Sequence, residues 1–141
     1  MKIVINSCFG GFCLSEKAVE VIMNKKGFNC FKYRQTKYSL RDGNDEYVKC
    51  ESYPKRPFLT TYYCTRDLGD VVNKLPYEAI FNEYGLERND ADLVSTVEEL
   101  GNQADTCVSR LKVVEIPDDV KWEIGNYDGL ESVHERHRSW C

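Results

Sequence analysis

Long apolar runs are missing from this chain of 141 residues, and no stretch approaches the roughly 20 residues that a membrane-spanning helix needs. Histidine is scarce, with only His134 and His137, so few side chains could serve as a general base near neutral pH. No C-x-x-C pair occurs, which argues against a zinc ribbon or finger. No G-K-[ST] follows a glycine loop and no G-x-G-x-x-G is present, which excludes the two common phosphate-binding fingerprints. A basic excess is also lacking. The net charge is −4, whereas nucleic-acid binding needs a positive footprint. Lys32, Arg34, Lys37 and Arg41 share one segment and read as a solvated strand face. Before Asn6 there is one lysine and a three-residue apolar run, too short for the core of a signal peptide, so the expected location is the cytoplasm.

What is present is ordinary for a globular protein. Hydrophobic residues make up 42% and charged residues 30%, enough to bury a core and with no sign of disorder. The seven cysteines fall at 8, 13, 30, 50, 64, 107 and 141. An odd count without a secretion signal favours free thiols over a disulfide frame. No repeat, low-complexity stretch or linker divides the sequence, so residues 1–141 read as a single domain.

The stretch MKIVINSCFGGFCLSEKAVEVIMNKKG reads as strand, glycine loop and helix. Ile3, Val4 and Ile5 are a β-branched run suited to a buried strand. Gly10 and Gly11 break the period and permit backbone angles that side chains forbid. Ser15 is placed as an N-cap with Glu16 in the first turn, and Gly27 stops the helix after Lys25 and Lys26. Free backbone N–H groups and a helix N-terminus would thus meet at one point, a geometry that suits an anion.

Farther along, strands are expected near 29–39 and 46–52, joined across Asp42-Gly43-Asn44-Asp45, and again from Phe58 to Cys64. A short helix is expected over 66–75, closed by Pro76, with another helical turn from Tyr77 to Tyr84. Residues 89–104 give the clearest helix, capped by Asn89 or Asp90, with Leu93, Val97, Leu100 and Ala104 on one stripe. Leu111 to Ile116 reads as a strand, and so does the alternation of Val120, Trp122 and Ile124. Asn126 to Gly129 closes that strand. Leu130, Val133, His137 and Trp140 then predict a short final helix. The expected architecture is α+β, a single domain with a mixed, mostly antiparallel sheet of about five strands and two or three helices packed mainly on one face.

Residues that could carry chemistry gather at the first loop. Its backbone N–H groups over 7–13, Ser7, Cys8, Gly10 and Gly11 among them, would take phosphate, with Asn6 beside them. Phe9 or Phe12 would stack a base, and Ser15 stands at the helix start. Arg136, His137 and Arg138 would add charge from the tail. Each has a plainer role: a tight turn, core plugs, and charges that complement a helix dipole. Cys8 and Cys13 sit beside the helix N-terminus, where a thiol can become nucleophilic, with His134 or His137 as the available base.

The two ends of the chain, MKIVINSCFGGFCLSEKAVE at the start and ADLVSTVEELG, LKVVEIPDDVKWEI, YDGLESV and HERHRSW toward the finish, resemble small phage and prophage proteins of unassigned biochemistry. The middle shares no such likeness. Cys13 stands where a glycine or another small residue is expected, and Cys141 follows Trp140 as an addition. The resemblance implies a phage protein in the host cytoplasm, and that setting suggests an antagonist of host defence. The leading expectation is a non-catalytic protein, without cofactor or metal, that sequesters a phosphorylated nucleotide-like immune signal. A first alternative is an inhibitor that binds a host defence protein through an aromatic surface in 31–63. A second is a small hydrolase or transferase using Cys8 or Cys13. Neither a nucleic acid nor a membrane is expected as a partner, and self-association is left open.

Overall fold

The computed structural model describes residues 1–37, 45–50 and 61–136. It is α+β, and its contacts divide the chain into two compact units, Met1–Lys25 with Glu83–Cys141 and Lys26–Asn82. Among the described residues no helix is long and apolar enough to cross a membrane.

In the first unit, β1 (Lys2–Asn6) pairs antiparallel with β7 (Leu111–Glu115), Val4 lying opposite Val113 and Asn6 opposite Leu111. Ile3, Val4 and Ile5 are buried, as their β-branched run predicts. Helix α1 (Glu16–Lys25) follows the loop. The Ser15 hydroxyl caps it by accepting from Ala18 N–H at 3.2 Å, and Ala18, Val19, Ile22 and Met23 form its buried face. Helix α2 (Ala91–Leu100) is capped by Asp90, whose carboxylate accepts from the N–H groups of Asp92 and Leu93. Its buried stripe of Leu93, Val94 and Val97 packs on β1 and β7, and its last turn tightens into a 3₁₀ segment over Gly101–Ala104. Helix α1 lies against α2.

The unit ends in a hairpin, β8 (Trp122–Tyr127) with β9 (Leu130–Glu135). The segment expected as a final helix is therefore a strand over its described part. Tyr127 pairs with Leu130, and the two residues between them, Asp128 (φ 53°) and Gly129 (φ 89°), adopt the left-handed angles of a two-residue hairpin turn. An Asp-Gly turn and a partner strand override a weak 3.6-residue period. His137, Arg138 and Trp140 lie outside the described residues.

The second unit is a five-stranded sheet in the order β5-β3-β2-β4-β6, from β2 (Phe31–Lys37), β3 (Glu46–Lys49), β4 (Thr61–Cys64), β5 (Val71–Val72) and β6 (Ile80–Phe81). The expected hairpin and third strand are present where described; the turn at 42–44 and residues 58–60 lie outside the described residues. The helix expected over 66–75 is not formed. Gly69 takes a positive φ, Asp67 accepts from Gly69 N–H, and Val71-Val72 pairs with Tyr47-Val48 instead. From Tyr77 to Gly85, two 3₁₀ turns flank β6 rather than one helical run. Among the described residues every strand pairing is antiparallel, and the strands fall into one five-stranded and two two-stranded sheets rather than a single mixed sheet.

Tyr33, Cys64 and Leu75 form the core of the second unit, with Phe31, Tyr47, Tyr62, Leu68, Val72 and Ile80 packed around them. Of the described aromatics in 31–63, Tyr33 and Tyr63 are buried and Phe31, Tyr47 and Tyr62 half-buried. The Tyr33 hydroxyl donates to the Gly69 carbonyl at 2.8 Å and accepts from Leu68 N–H at 2.9 Å. Beside it Lys49 holds both oxygens of Asp67 at 2.8 Å. That contact, with the Gly69 amide, keeps the Asp67 carboxyl below the usual carboxylate range.

Because the native carboxyl is the stronger acid, its stabilising effect is complete above the ordinary carboxylate value, near 4, and is lost as pH falls through the lower native value. Asp67→Asn is therefore expected to lower the urea midpoint at neutral pH. The gap from the wild type should close in acid, and a gap unchanged from pH 7 down to pH 2 would contradict this account.

Candidate functional site

Asn6 ends β1 fully buried, and its amide is the hub from which the glycine loop is hung. Its Nδ2 donates to the Cys8 carbonyl at 2.8 Å and to the Gly129 carbonyl at 2.7 Å. Its Oδ1 accepts from Arg110 N–H at 2.8 Å. One side chain thus ties the loop, the β8–β9 turn and the entry to β7 together. A buried amide with every such bond made rigidifies what surrounds it.

Three of the loop amides are engaged within the chain. Ser7 N–H donates to the Arg110 carbonyl at 2.7 Å, Gly10 N–H to the Asp128 carbonyl at 3.2 Å and Gly11 N–H to the Val108 carbonyl at 3.1 Å. The amide of Asn6 meets an anion, but that anion is the chain's own Glu131 carboxylate at 2.8 Å. Gly10, at φ 139°, packs so closely that a Cβ there would fall 2.1 Å from the Val108 carbonyl oxygen. A Cβ on Gly129 would fall 2.0 Å from the Gly10 carbonyl oxygen. The glycines admit neighbouring backbone.

Glu131 projects from β9, its side chain only 4% exposed. Arg88 grips it with both arms, Nη1 to Oε1 at 2.7 Å and Nη2 to Oε2 at 3.0 Å, the planar fork that matches a carboxylate. Arg88 also donates from Nη1 to the Val4 carbonyl at 3.3 Å and accepts Val4 N–H at its own carbonyl at 2.8 Å. Its guanidinium lies 3.5 Å from the centre of the Phe12 ring. Phe12, expected to stack a base, therefore stacks an internal cation.

Phe9 points the other way. It is 64% exposed and meets the 76% exposed Tyr127 edge to face, with ring centres 6.4 Å apart. Exposed Val108 stands on the segment that lies against Gly10 and Gly11. These apolar groups crown a tip whose backbone is fixed from below by Asn6 and Gly129.

The tail charge sits elsewhere. Arg136 N–H bonds to the Lys121 carbonyl at the open end of the hairpin. The turn that meets the loop closes the other end, and six strand residues span about 20 Å. His137 and Arg138 lie outside the described residues. Ser15 Oγ, besides capping α1, donates to the Gln103 carbonyl at 2.6 Å.

Neither loop thiol has a histidine among its described partners. Cys8 donates to Asn6 Oδ1 at 3.4 Å and to the Val108 carbonyl at 3.6 Å. Cys13 faces the Tyr84 hydroxyl at 3.6 Å, a contact that, with burial, pushes the tyrosine up to about 12. His134 Nε2 is 2.7 Å from Ser132 Oγ on its own strand. Among the described residues no group of three or more His, Cys, Asp or Glu is placed to hold a metal ion. An open depression of about 530 Å³ runs from Met1 and Lys2 to Val94 and Glu98, and no loop residue lines it.

Arg88, Glu131 and Tyr127 are the residues of this region that the sequence reading missed. The Asp128-Gly129 pair signals a hairpin and would have placed Tyr127 at its tip. Nothing local links Arg88 to Glu131 across 43 positions. No protein-family model matches this chain, and neither a curated protein nor a solved structure is similar to it.

Arg88→Ala should cost about 3 kcal/mol, because it leaves the buried Glu131 carboxylate without its cation; urea denaturation measures the loss, and a cost below about 1 kcal/mol would show the pair to be superficial. Gly129→Ala should destabilise by at least about 1–3 kcal/mol, since it combines a positive φ with a clash against Gly10. A thermal melt indistinguishable from the wild type would refute the close approach.

Proposed function

We propose that this chain is a non-catalytic binding protein that docks a protein partner through the rigid tip carrying Phe9, Tyr127 and Val108. The observation that carries the reading is the exposed Phe9–Tyr127 pair held on a backbone tied down at Ser7, Gly10 and Gly11 by hydrogen bonds within the chain. Solvent-exposed aromatics cost hydration free energy and do nothing for the core. Held rigidly, they lose little entropy on binding and suit an interface anchor. The likeness of the chain's ends to phage proteins supplies the setting: the partner would be a host defence enzyme, blocked by occupation in the host cytoplasm.

Capture of a phosphorylated nucleotide ranks below this. The amides that would hold phosphate at Ser7, Gly10 and Gly11 are spent on carbonyls, and the face of Phe12 is covered by Arg88. A cysteine-dependent transfer reaction ranks lower still, since the described partners of Cys8 and Cys13 include no base.

Two measurements distinguish these readings. A partner retained from host lysate by the wild-type chain should be lost with Phe9→Ala and Tyr127→Ala, each with an unchanged melt. A panel of cyclic and linear nucleotides should leave the melting temperature of the wild type unmoved. A nucleotide that raises it, with the rise abolished by Phe9→Ala, would reverse the order.

A further inference from the structure

Ser132 and His134 alternate with Val133 on β9 and so project from one face of the β8–β9 hairpin. The register decides what shares that face with them. Gly125 lies opposite Ser132, Glu123 opposite His134 and Tyr127 opposite Leu130. The other face carries the buried Glu131, with Ile124 and Val133 half-buried beside it, whereas Ser132, His134, Glu123 and Tyr127 are exposed. His134 Nε2 is 2.7 Å from Ser132 Oγ, the reach of a general base to the hydroxyl it deprotonates. Both atoms lie directly over Gly125. A Cβ there would come 2.9 Å from Nε2 and 3.2 Å from Oγ. Glycine weakens a strand interior and marks a close approach to its backbone. Here the groups that approach are a nucleophile and a base.

We propose that Ser132 is an acceptor for an activated acyl group, with His134 as its general base. The Ser132 hydroxyl donates to Nε2 when the ring carries its proton on Nδ1. Glu123 stands directly across the ladder on the same face, where paired side chains start about 5 Å apart. A carboxylate there favours that tautomer and stabilises the imidazolium that forms. In the step, Oγ bonds to the acyl carbon and the bond from that carbon to its leaving oxygen or sulfur breaks. The Oγ proton passes to Nε2 and from there to the leaving group. Tyr127 and Leu130 pair next along the same face, a shelf for an apolar acyl chain, so the donor is an ester or thioester of an apolar acid. The product is an acyl-serine, a stoichiometric modification that needs no turnover. It adds apolar surface beside Tyr127, on the face of the hairpin that leads to the tip.

Incubating the full chain with p-nitrophenyl acetate, and locating the acetyl groups by peptide mass spectrometry over a time course, tests this without any partner. Ser132 should be acetylated at least about tenfold faster than the chain's other exposed hydroxyls. His134→Gln keeps a polar group against Oγ but cannot take its proton, and should slow Ser132 by at least about tenfold. Gly125→Ala suits a strand better than glycine, yet its methyl displaces the imidazole, so it should slow the reaction with the circular dichroism unchanged. Glu123→Ala should slow it by a smaller factor and Glu123→Asp should restore it, a rescue that a merely structural role would not give. A Ser132 that reacts no faster than the other hydroxyls overturns the proposal, as does acetylation confined to the cysteines. A Ser132 rate indifferent to both His134→Gln and Gly125→Ala overturns it too.

Discussion

A single buried carboxylate organises the first unit. Glu131 leaves its own hairpin to cap the outer amide of Asn6, where no backbone carbonyl is in position to do so. Stripping water from a carboxylate is expensive, and a single amide does not offset it. The bidentate hold of Arg88 supplies the difference, and Arg88 can hold only because Phe12 supports its other face and Val4 fixes its backbone. Strand, loop, hairpin and the approach to α2 thereby become mutually dependent. Removing any one leaves a charge or an amide stranded in a place water reaches poorly.

That dependence explains why the glycine loop has the form of an anion site and a different use. Glycine next to a helix start concentrates amide donors wherever it occurs. Here the donors of Ser7, Gly10 and Gly11 are consumed by carbonyls of the segments pressing in from both sides, and Gly10 must be glycine because the Val108 backbone comes too close for a Cβ. The loop is tight for the sake of Asn6 and Gly129. Its outward product is the pair of aromatic rings it displays.

Local features of the fold were readable where they were self-contained. The β-branched run of β1, the Ser15 and Asp90 caps, the stripe on α2 and the strand after Arg110 each carry their cause within a few residues. The readings that failed were those where a distant partner decided. Residues 66–75 have helical spacing, but Val71 and Val72 are claimed by β3. Leu130 onward has an apolar period, but the Asp128-Gly129 turn and β8 take it into a sheet. The place of Tyr33 in the core is likewise fixed at a distance, since its hydrogen bonds come from residues 68 and 69, beyond any local window. The Arg88–Glu131 pair is the extreme case. Salt-bridge partners of that separation leave no mark in composition or period, so Arg88 and Glu131 were invisible although Asn6 and Phe9 were not.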